Sequence, residues 1–171
     1  MKTLVAATLF LLTASALFAQ KTHPHSDIRP VTVKLINSEG QSVGTAVLSP
    51  ASTGVKITLD IKNLSPGPHS IHIHQYAECD PPDFKSAGAH FNPGGHAHSG
   101  APAGDIPDFS LIVSPNGTAH VTTTAPYVTL GNDDHSVFSN GGTAIIIHAV
   151  AGATGSAAPP RIACGVIARP N

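Results

Sequence analysis

Apolar residues in this chain recur at every second position, in runs too short for a helix, and each run is cut off by turn-forming residues. Val31, Val33 and Leu35 alternate with polar neighbours, as do Val55, Ile57, Leu59 and Ile61. Alternation at period two places one face of a strand in a core and the other in water. Thr45–Leu48, Phe109–Val113, His120–Thr123 and Ala144–His148 are further strand candidates. Ser38-Glu39-Gly40, Ser65-Pro66-Gly67-Pro68, Pro115-Asn116-Gly117 and Asn140-Gly141-Gly142 separate them as turns. No stretch carries a helical period, and 16 Gly with 15 Pro disfavour long helices. With 171 residues the chain has room for one domain and a real core. The pattern predicts an all-β antiparallel sandwich or barrel. Two segments, 77–108 and 149–161, break the strand rhythm, and long ordered loops on a β scaffold tend to carry function.

The first 19 residues read differently. Lys2 precedes a short apolar run, Leu4 to Leu12, and Ala14-Ser15-Ala16 and Ala19 offer small residues for cleavage. This is the layout of a secretory signal peptide, and the run is too short to span a bilayer comfortably. Residues 20–30 read as a flexible leading segment and 31–171 as the domain. No second long apolar stretch follows, so the mature chain is expected to have no membrane span and to reside in the periplasm or outside the cell. Cys79 and Cys164, 85 positions apart, would meet an oxidising compartment there, where an even number of cysteines is expected to pair; a reactive thiol pair is the alternative.

Charge excludes some partners. Charged residues are 11 % of the chain and the formal net charge is −1, so neither a nucleic-acid footprint nor a polybasic lipid-binding stretch is present. Against that background stand 11 His, more than Lys and Arg together.

Their positions matter more than their number. In Ser70-Ile71-His72-Ile73-His74 the two imidazoles are two apart, so in a strand they share a face while Ile71 and Ile73 point to the core. Two neutral imidazoles side by side are half of a metal site; taken alone they are equally well a solvated polar face. His148 ends the apolar run Ala144–Ile147. His90 lies in a turn-rich segment, followed by His96, His98 and Asp105, a metal-like spacing that polar loops also show. His69 falls on the face opposite His72 and reads as structural. His23 and His25 read as bystanders, and His120 and His135 have no partner motif.

Together these blocks resemble the copper/zinc superoxide dismutases, in particular the bacterial branch. The resemblance rests on Gly67-Pro68-His69-Ser70-Ile71-His72-Ile73-His74, Cys79, Ser86-Ala87-Gly88-Ala89-His90-Phe91-Asn92-Pro93, Ala103-Gly104-Asp105-Ile106-Pro107, Gly142–Ala149 and Arg161-Ile162-Ala163-Cys164-Gly165-Val166-Ile167, in the family's order. It implies an eight-stranded antiparallel Greek-key β-barrel with two long functional loops. It also implies copper ligation by His72, His74, His90 and His148, with His90 bridging to zinc; zinc ligation by His98 and Asp105; a Cys79–Cys164 disulfide; and Arg161 beside the copper channel. The implied reaction disproportionates the superoxide anion to O2 and H2O2, with Arg161 drawing in the anion and His90 taking part in proton traffic. Imidazoles without thiolate or thioether suit Cu(II), and the single Met is Met1. Arg161 is also the sole charged side chain between Asp134 and Arg169, which suits an ion-pair partner or an anion guide.

The family pattern is broken on the zinc side. The third zinc histidine, three residues before the carboxylate, is Pro102 here. The residues after His148 are Ala149-Val150-Ala151-Gly152-Ala153, where the family has an aspartate linking the two metal sites. The loop between His148 and Arg161 is trimmed. A copper-only or zinc-poor member is the expectation, with His96 as the candidate substitute that would restore a zinc set of His90, His96, His98 and Asp105. Two other readings compete with the enzyme: a non-catalytic periplasmic protein of the same fold that binds or buffers copper, and a barrel that takes up no metal.

Overall fold

The computed structural model describes residues 29–95, 101–107, 109–149 and 159–170. The signal-peptide and leading-segment expectations (1–19 and most of 20–30) lie outside them. Eight strands follow in chain order: β1 Val31–Asn37, β2 Ser42–Pro50, β3 Val55–Ile61, β4 Gly67–His74, β5 Leu111–Val113, β6 Ala119–Ala125, β7 Thr143–His148 and β8 Arg161–Ile167. Among the described residues the helices are three-residue 3-10 turns, and none is long and apolar enough to cross a membrane.

Every strand pairing is antiparallel, in the order β5-β4-β7-β8-β1-β2-β3-β6. The pairings β4–β7 and β3–β6 skip along the sequence, which is the Greek-key signature. The outermost strands, β5 and β6, are consecutive and come into contact, so the sheet is a nearly closed barrel. Closure removes most of the exposed edge that an open sheet would offer to aggregation. β5 is shorter than the sequence suggests: Phe109 and Ser110 precede it, and its register with β4 begins at His69↔Leu111.

The alternating positions point inward as the period predicts. Val33, Leu35, Ala46, Leu48, Ile57, Leu59, Ile71, Ile73, Ile145 and Ile147 are almost fully buried in one core. The connection 126–142 adds Val128, Leu130 and Val137 to it. β7 is buried on both faces. Its outward residues Ala144 and Ile146 lie, with Cys164, under Phe84 and Ala87 from the long loop after β4. That small second core presses the loop against the outer wall of the barrel, and the Cys79–Cys164 disulfide pins it there, with Cα atoms 5.7 Å apart.

Candidate metal centre

The barrel wall presents histidines on its outer face because of the strand pleat. Ile71 and Ile73 occupy the core side of β4, so His72 and His74 stand outside. On β7 the same alternation turns Ile145 and Ile147 inward and His148 outward. The register pairs Ser70 with His148 and His72 with Ile146, which sets His148 diagonally beside His72. Their ring centroids are 5.0 Å apart.

His90 comes from the loop, and backbone bonds fix its position. Phe91 N–H donates to the Ile73 carbonyl at 2.8 Å, Ile73 N–H to the Gly104 carbonyl at 2.9 Å, and Gly104 N–H to the Phe91 carbonyl at 2.7 Å. Three segments are thereby knotted at Ile73, between the two histidines of β4. The knot sets His90 opposite His74 and Asp105 opposite His72 in isolated antiparallel bridges. Gly104 permits this close approach: a Cβ there would lie 2.1 Å from the Ile73 carbonyl oxygen. The His90 ring stacks on His72 at 4.2 Å between centroids and meets His74 edge-on at 4.8 Å.

One ring nitrogen from each of His72, His74, His90 and His148 lies within 4.8 Å of the others. The second ring nitrogens explain which ones. His74 Nδ1–H donates to the Gly88 carbonyl at 2.9 Å, and His148 Nδ1–H to the Pro159 carbonyl at 3.1 Å. Each bond fixes a tautomer and leaves a lone pair on Nε2. His90 Nδ1 bonds to Asp105 Oδ1 at 2.6 Å, leaving its Nε2. His72 Nδ1, His74 Nε2 and His148 Nε2 are buried with no hydrogen-bond partner. A buried polar atom without a partner is costly, and native proteins rarely leave one so. Three of them converging on one point fit a cation with a preference for nitrogen, and the absence of sulfur from the set suits Cu(II).

Electrostatics keeps the set ready for a metal. Burial, then repulsion from His90 and His148, pushes the His72 imidazole down to about 3. Burial likewise brings His74 down to about 3, against the opposing pull of the Gly88 bond and with help from His90, Arg161 and His148. Burial lowers His148 too, opposed by the Pro159 bond and reinforced by His90 and Arg161. Neutral imidazoles are the ligating form, so His72, His74 and His148 have little proton to expel near neutral pH.

Arg161 opens β8 directly opposite His148, where the β7–β8 register slips. Its Nη1 donates to the Phe84 carbonyl and its Nη2 to the Gly88 carbonyl, both at 2.6 Å. The Gly88 oxygen thus takes hydrogen bonds from both His74 and Arg161. Among the described residues Arg161 has no ion-pair partner within 4.0 Å, although Asp83 is near enough to oppose the lowering that burial imposes on the guanidinium. The sequence pointed to the arginine but not to the carbonyls of Phe84 and Gly88 that aim it; main-chain acceptors leave no residue-type signal.

The remaining candidates divide. His90 and Asp105 are brought together, while His96 and His98, the other zinc candidates, lie outside the described residues, as does most of the trimmed loop after His148. His69 is 2 % exposed on the core side, with Nδ1 3.0 Å from the His148 carbonyl and Nε2 2.8 Å from the Ser65 carbonyl. It supports the backbone behind His148 and stands apart from the cluster. His135 bonds to the Tyr127 carbonyl, and His120 is exposed on β6.

Comparison with known proteins follows the same lines. The family model described as copper/zinc superoxide dismutase (SODC) matches residues 42–167. A curated relative, superoxide dismutase [Cu-Zn] 2 of Aquifex aeolicus, is 39 % identical over 95 % of both chains. A double mutant of a SOD-like protein from Bacillus subtilis superposes with a TM-score of 0.72 at 32 % identity, covering 81 % of this chain and 97 % of that one. The Cu/Zn superoxide dismutase from Brucella abortus superposes at 0.64 with 28 % identity, covering 81 % and 99 %.

Proposed function

This chain belongs to the copper/zinc superoxide dismutase family, and we propose that it is itself an oxidoreductase that disproportionates superoxide to O2 and H2O2 at a copper held by His72, His74, His90 and His148. The observation that carries this reading is the convergence of three buried, unpartnered imidazole nitrogens with a fourth imidazole beside them, next to a guanidinium fixed by two carbonyls. Copper, when bound, supplies the one-electron acceptor and donor that the two halves of the reaction need.

The chain's own residues supply the rest. The three tautomer-fixing bonds on His74, His90 and His148 hold the donor nitrogens at one point before any metal arrives, so little ordering remains to be done on binding. Arg161 carries the positive charge nearest the cluster along β8 and attracts the anionic substrate. Its two carbonyl bonds keep it from swinging away, and its field weakens with salt. The disulfide loop, clamped over Ala144 and Ile146, carries both carbonyls.

The apolar N-terminal run and the Cys79–Cys164 bridge support export to an oxidising compartment, the periplasm or beyond. Fractionation of cells making the full chain should find a shortened product outside the cytoplasm.

The enzyme reading is tested by loading metal-free protein with one equivalent of copper and following superoxide loss. The loaded protein should be active and the metal-free protein inactive. His148→Ala should lose copper retention and activity together. Copper held firmly by protein that leaves superoxide untouched would refute the enzyme reading in favour of a copper-binding role.

A further inference from the structure

We propose that Asp83 and Lys85 set the strength of the field that Arg161 presents to an incoming anion: the Asp83 carboxylate opposes the guanidinium, and the Lys85 ammonium masks that carboxylate. This rests on reading Arg161 as the attractor of superoxide.

The first support is where charge is found. Residues 149–160, which lead into Arg161, contain no acidic or basic side chain. A charge that adjusts Arg161 has to come from elsewhere in the fold, and the loop after β4 brings one. Phe84, whose carbonyl accepts from Arg161 Nη1 at 2.6 Å, stands between Asp83 and Lys85 in the chain. Whatever holds the guanidinium therefore holds its two charged neighbours beside it. Asp83 is near enough that its charge bears on the guanidinium, against the effect of burial, and the charge of Arg161 is felt in turn at His74 and His148.

The second support is that this placement is fixed. The Phe84 ring is fully buried against Ala87, Ala144, Ile146 and Cys164. Its backbone takes the left-handed conformation, φ 53°, which is uncommon for a bulky residue. Phe84 N–H donates to the Asp80 carbonyl at 3.1 Å, and the Phe84 carbonyl also accepts from Ala87 N–H at 3.2 Å. The turn brings Asp83 and Lys85 to one side. Asp83 Oδ1 accepts from Lys85 N–H at 3.2 Å, and Oδ2 lies 2.6 Å from Lys85 Nζ.

The third support is exposure. The side chains of Lys85 and Asp83 are 82 % and 52 % exposed. An ion pair so open to water adds little to stability. Charge that faces water beside a site does act on the approach of a charged substrate. Paired, the two groups cancel much of each other's field; removing either one leaves the other acting alone next to Arg161.

The test uses the disulfide-bonded, copper-loaded chain, with superoxide decay followed across a salt series and inorganic azide titrated as a stable small anion. A unit charge acting through water over about 10 Å alters an encounter about twofold at low ionic strength. Asp83→Asn keeps an oxygen for the Lys85 N–H and loses the charge. It should react about twofold faster, depend more steeply on salt and bind azide more tightly. Lys85→Met should react about twofold slower, with a flatter salt dependence and weaker azide binding. The double variant should return close to wild type, and all differences should vanish near about 1 M salt. Asp60→Asn and Lys56→Met, exposed on β3 and three strands away from β8 in the sheet, should match wild type. Wild-type rate and azide affinity in Asp83→Asn would overturn the inference. So would equal changes in the β3 variants, which would show an effect of net charge alone. If copper-loaded wild type leaves superoxide untouched, the enzyme reading falls, and the azide affinities alone decide whether Asp83 and Lys85 adjust the field.

Discussion

Gly104 should be the least replaceable residue of the centre that touches no metal. The methyl group of Gly104→Ala would lie 2.1 Å from the Ile73 carbonyl oxygen, well inside any tolerable contact, and the obstacle is backbone in a core strand. The loop segment must therefore lift off β4. Two hydrogen bonds involve Gly104 itself, at 2.9 Å from Ile73 N–H and at 2.7 Å to the Phe91 carbonyl. Each contributes about 1 kcal/mol net, and a buried partner left unsatisfied costs about 1–3 kcal/mol. The metal-free variant should lose about 2–4 kcal/mol, a drop in urea midpoint on the order of 1–2 M. The shift also moves Asp105, the next residue, and His90, the neighbour of Phe91. Copper affinity should then fall about 10–100-fold, so the extra stability that copper confers should shrink by about 1.4–2.7 kcal/mol. Urea unfolding of metal-free and copper-loaded forms, wild type against variant, measures both losses. A variant with the wild-type midpoint and undiminished copper stabilisation would refute the idea that this knot builds the site.

Other expectations follow from the same geometry. Arg161→Ala should keep copper but lower the rate and flatten its dependence on ionic strength, read by superoxide decay across a salt series; an unchanged rate removes Arg161 from anion capture. Replacing both Cys79 and Cys164 by alanine opens a loop of 85 positions, for which chain entropy alone gives roughly 4–5 kcal/mol of stability, with about 2–4 more commonly realised; calorimetry of the variant checks it, and a loss under about 1 kcal/mol would contradict the loop-closure account. The metal-free protein should also weaken in acid. His72 and His74 ordinarily titrate at 6.5 and are held down to about 3 in the fold, so the unfolded chain takes up their protons first. Stability is full above about pH 6.5, declines toward pH 3 by up to about 1.4 kcal/mol per pH unit for each histidine, and levels off below that. Partial solvent contact reduces the share of His72. Denaturant melts from pH 7 to 4 should be steeper for wild type than for His72→Gln/His74→Gln; equal slopes would mean these imidazoles are solvated in the fold.

The histidine cluster was legible in the sequence because strand geometry translates directly into side-chain direction. Once Ile71 and Ile73 are assigned to the core, His72 and His74 must share the outer face, and the apolar run ending in His148 supplies the neighbouring strand. What that pattern cannot give is the pairing of β4 with β7, since both partners are far apart in the chain and several strands have the same alternation. The resemblance to a known family implies that the four histidines meet, and the structure supplies the pairing, with the register Ser70↔His148 setting His148 diagonally beside His72. The short β5 was overextended for the opposite reason: Phe109 is apolar and partly buried against the core, yet its backbone is not in the ladder. Apolar pattern reports burial, and a strand needs a hydrogen-bonded neighbour as well.

The side of the centre facing Asp105 was least legible, and the reason is physical. Proline at position 102 carries no side-chain donor, and that absence gives no clue to how the carboxylate of Asp105 is placed. What builds the described part of that side is a set of main-chain bonds among Ile73, Phe91 and Gly104, and main-chain groups are the same in every residue. Their one trace in the sequence is the glycine, kept where a single added carbon would strike the β4 backbone. The same holds for Gly88, whose carbonyl accepts from both His74 and Arg161 and so couples the orientation of a cluster imidazole to that of the guanidinium. A change that displaced this one oxygen would disturb metal geometry and substrate attraction together, whereas Arg161→Ala removes the charge and leaves the His74 bond in place.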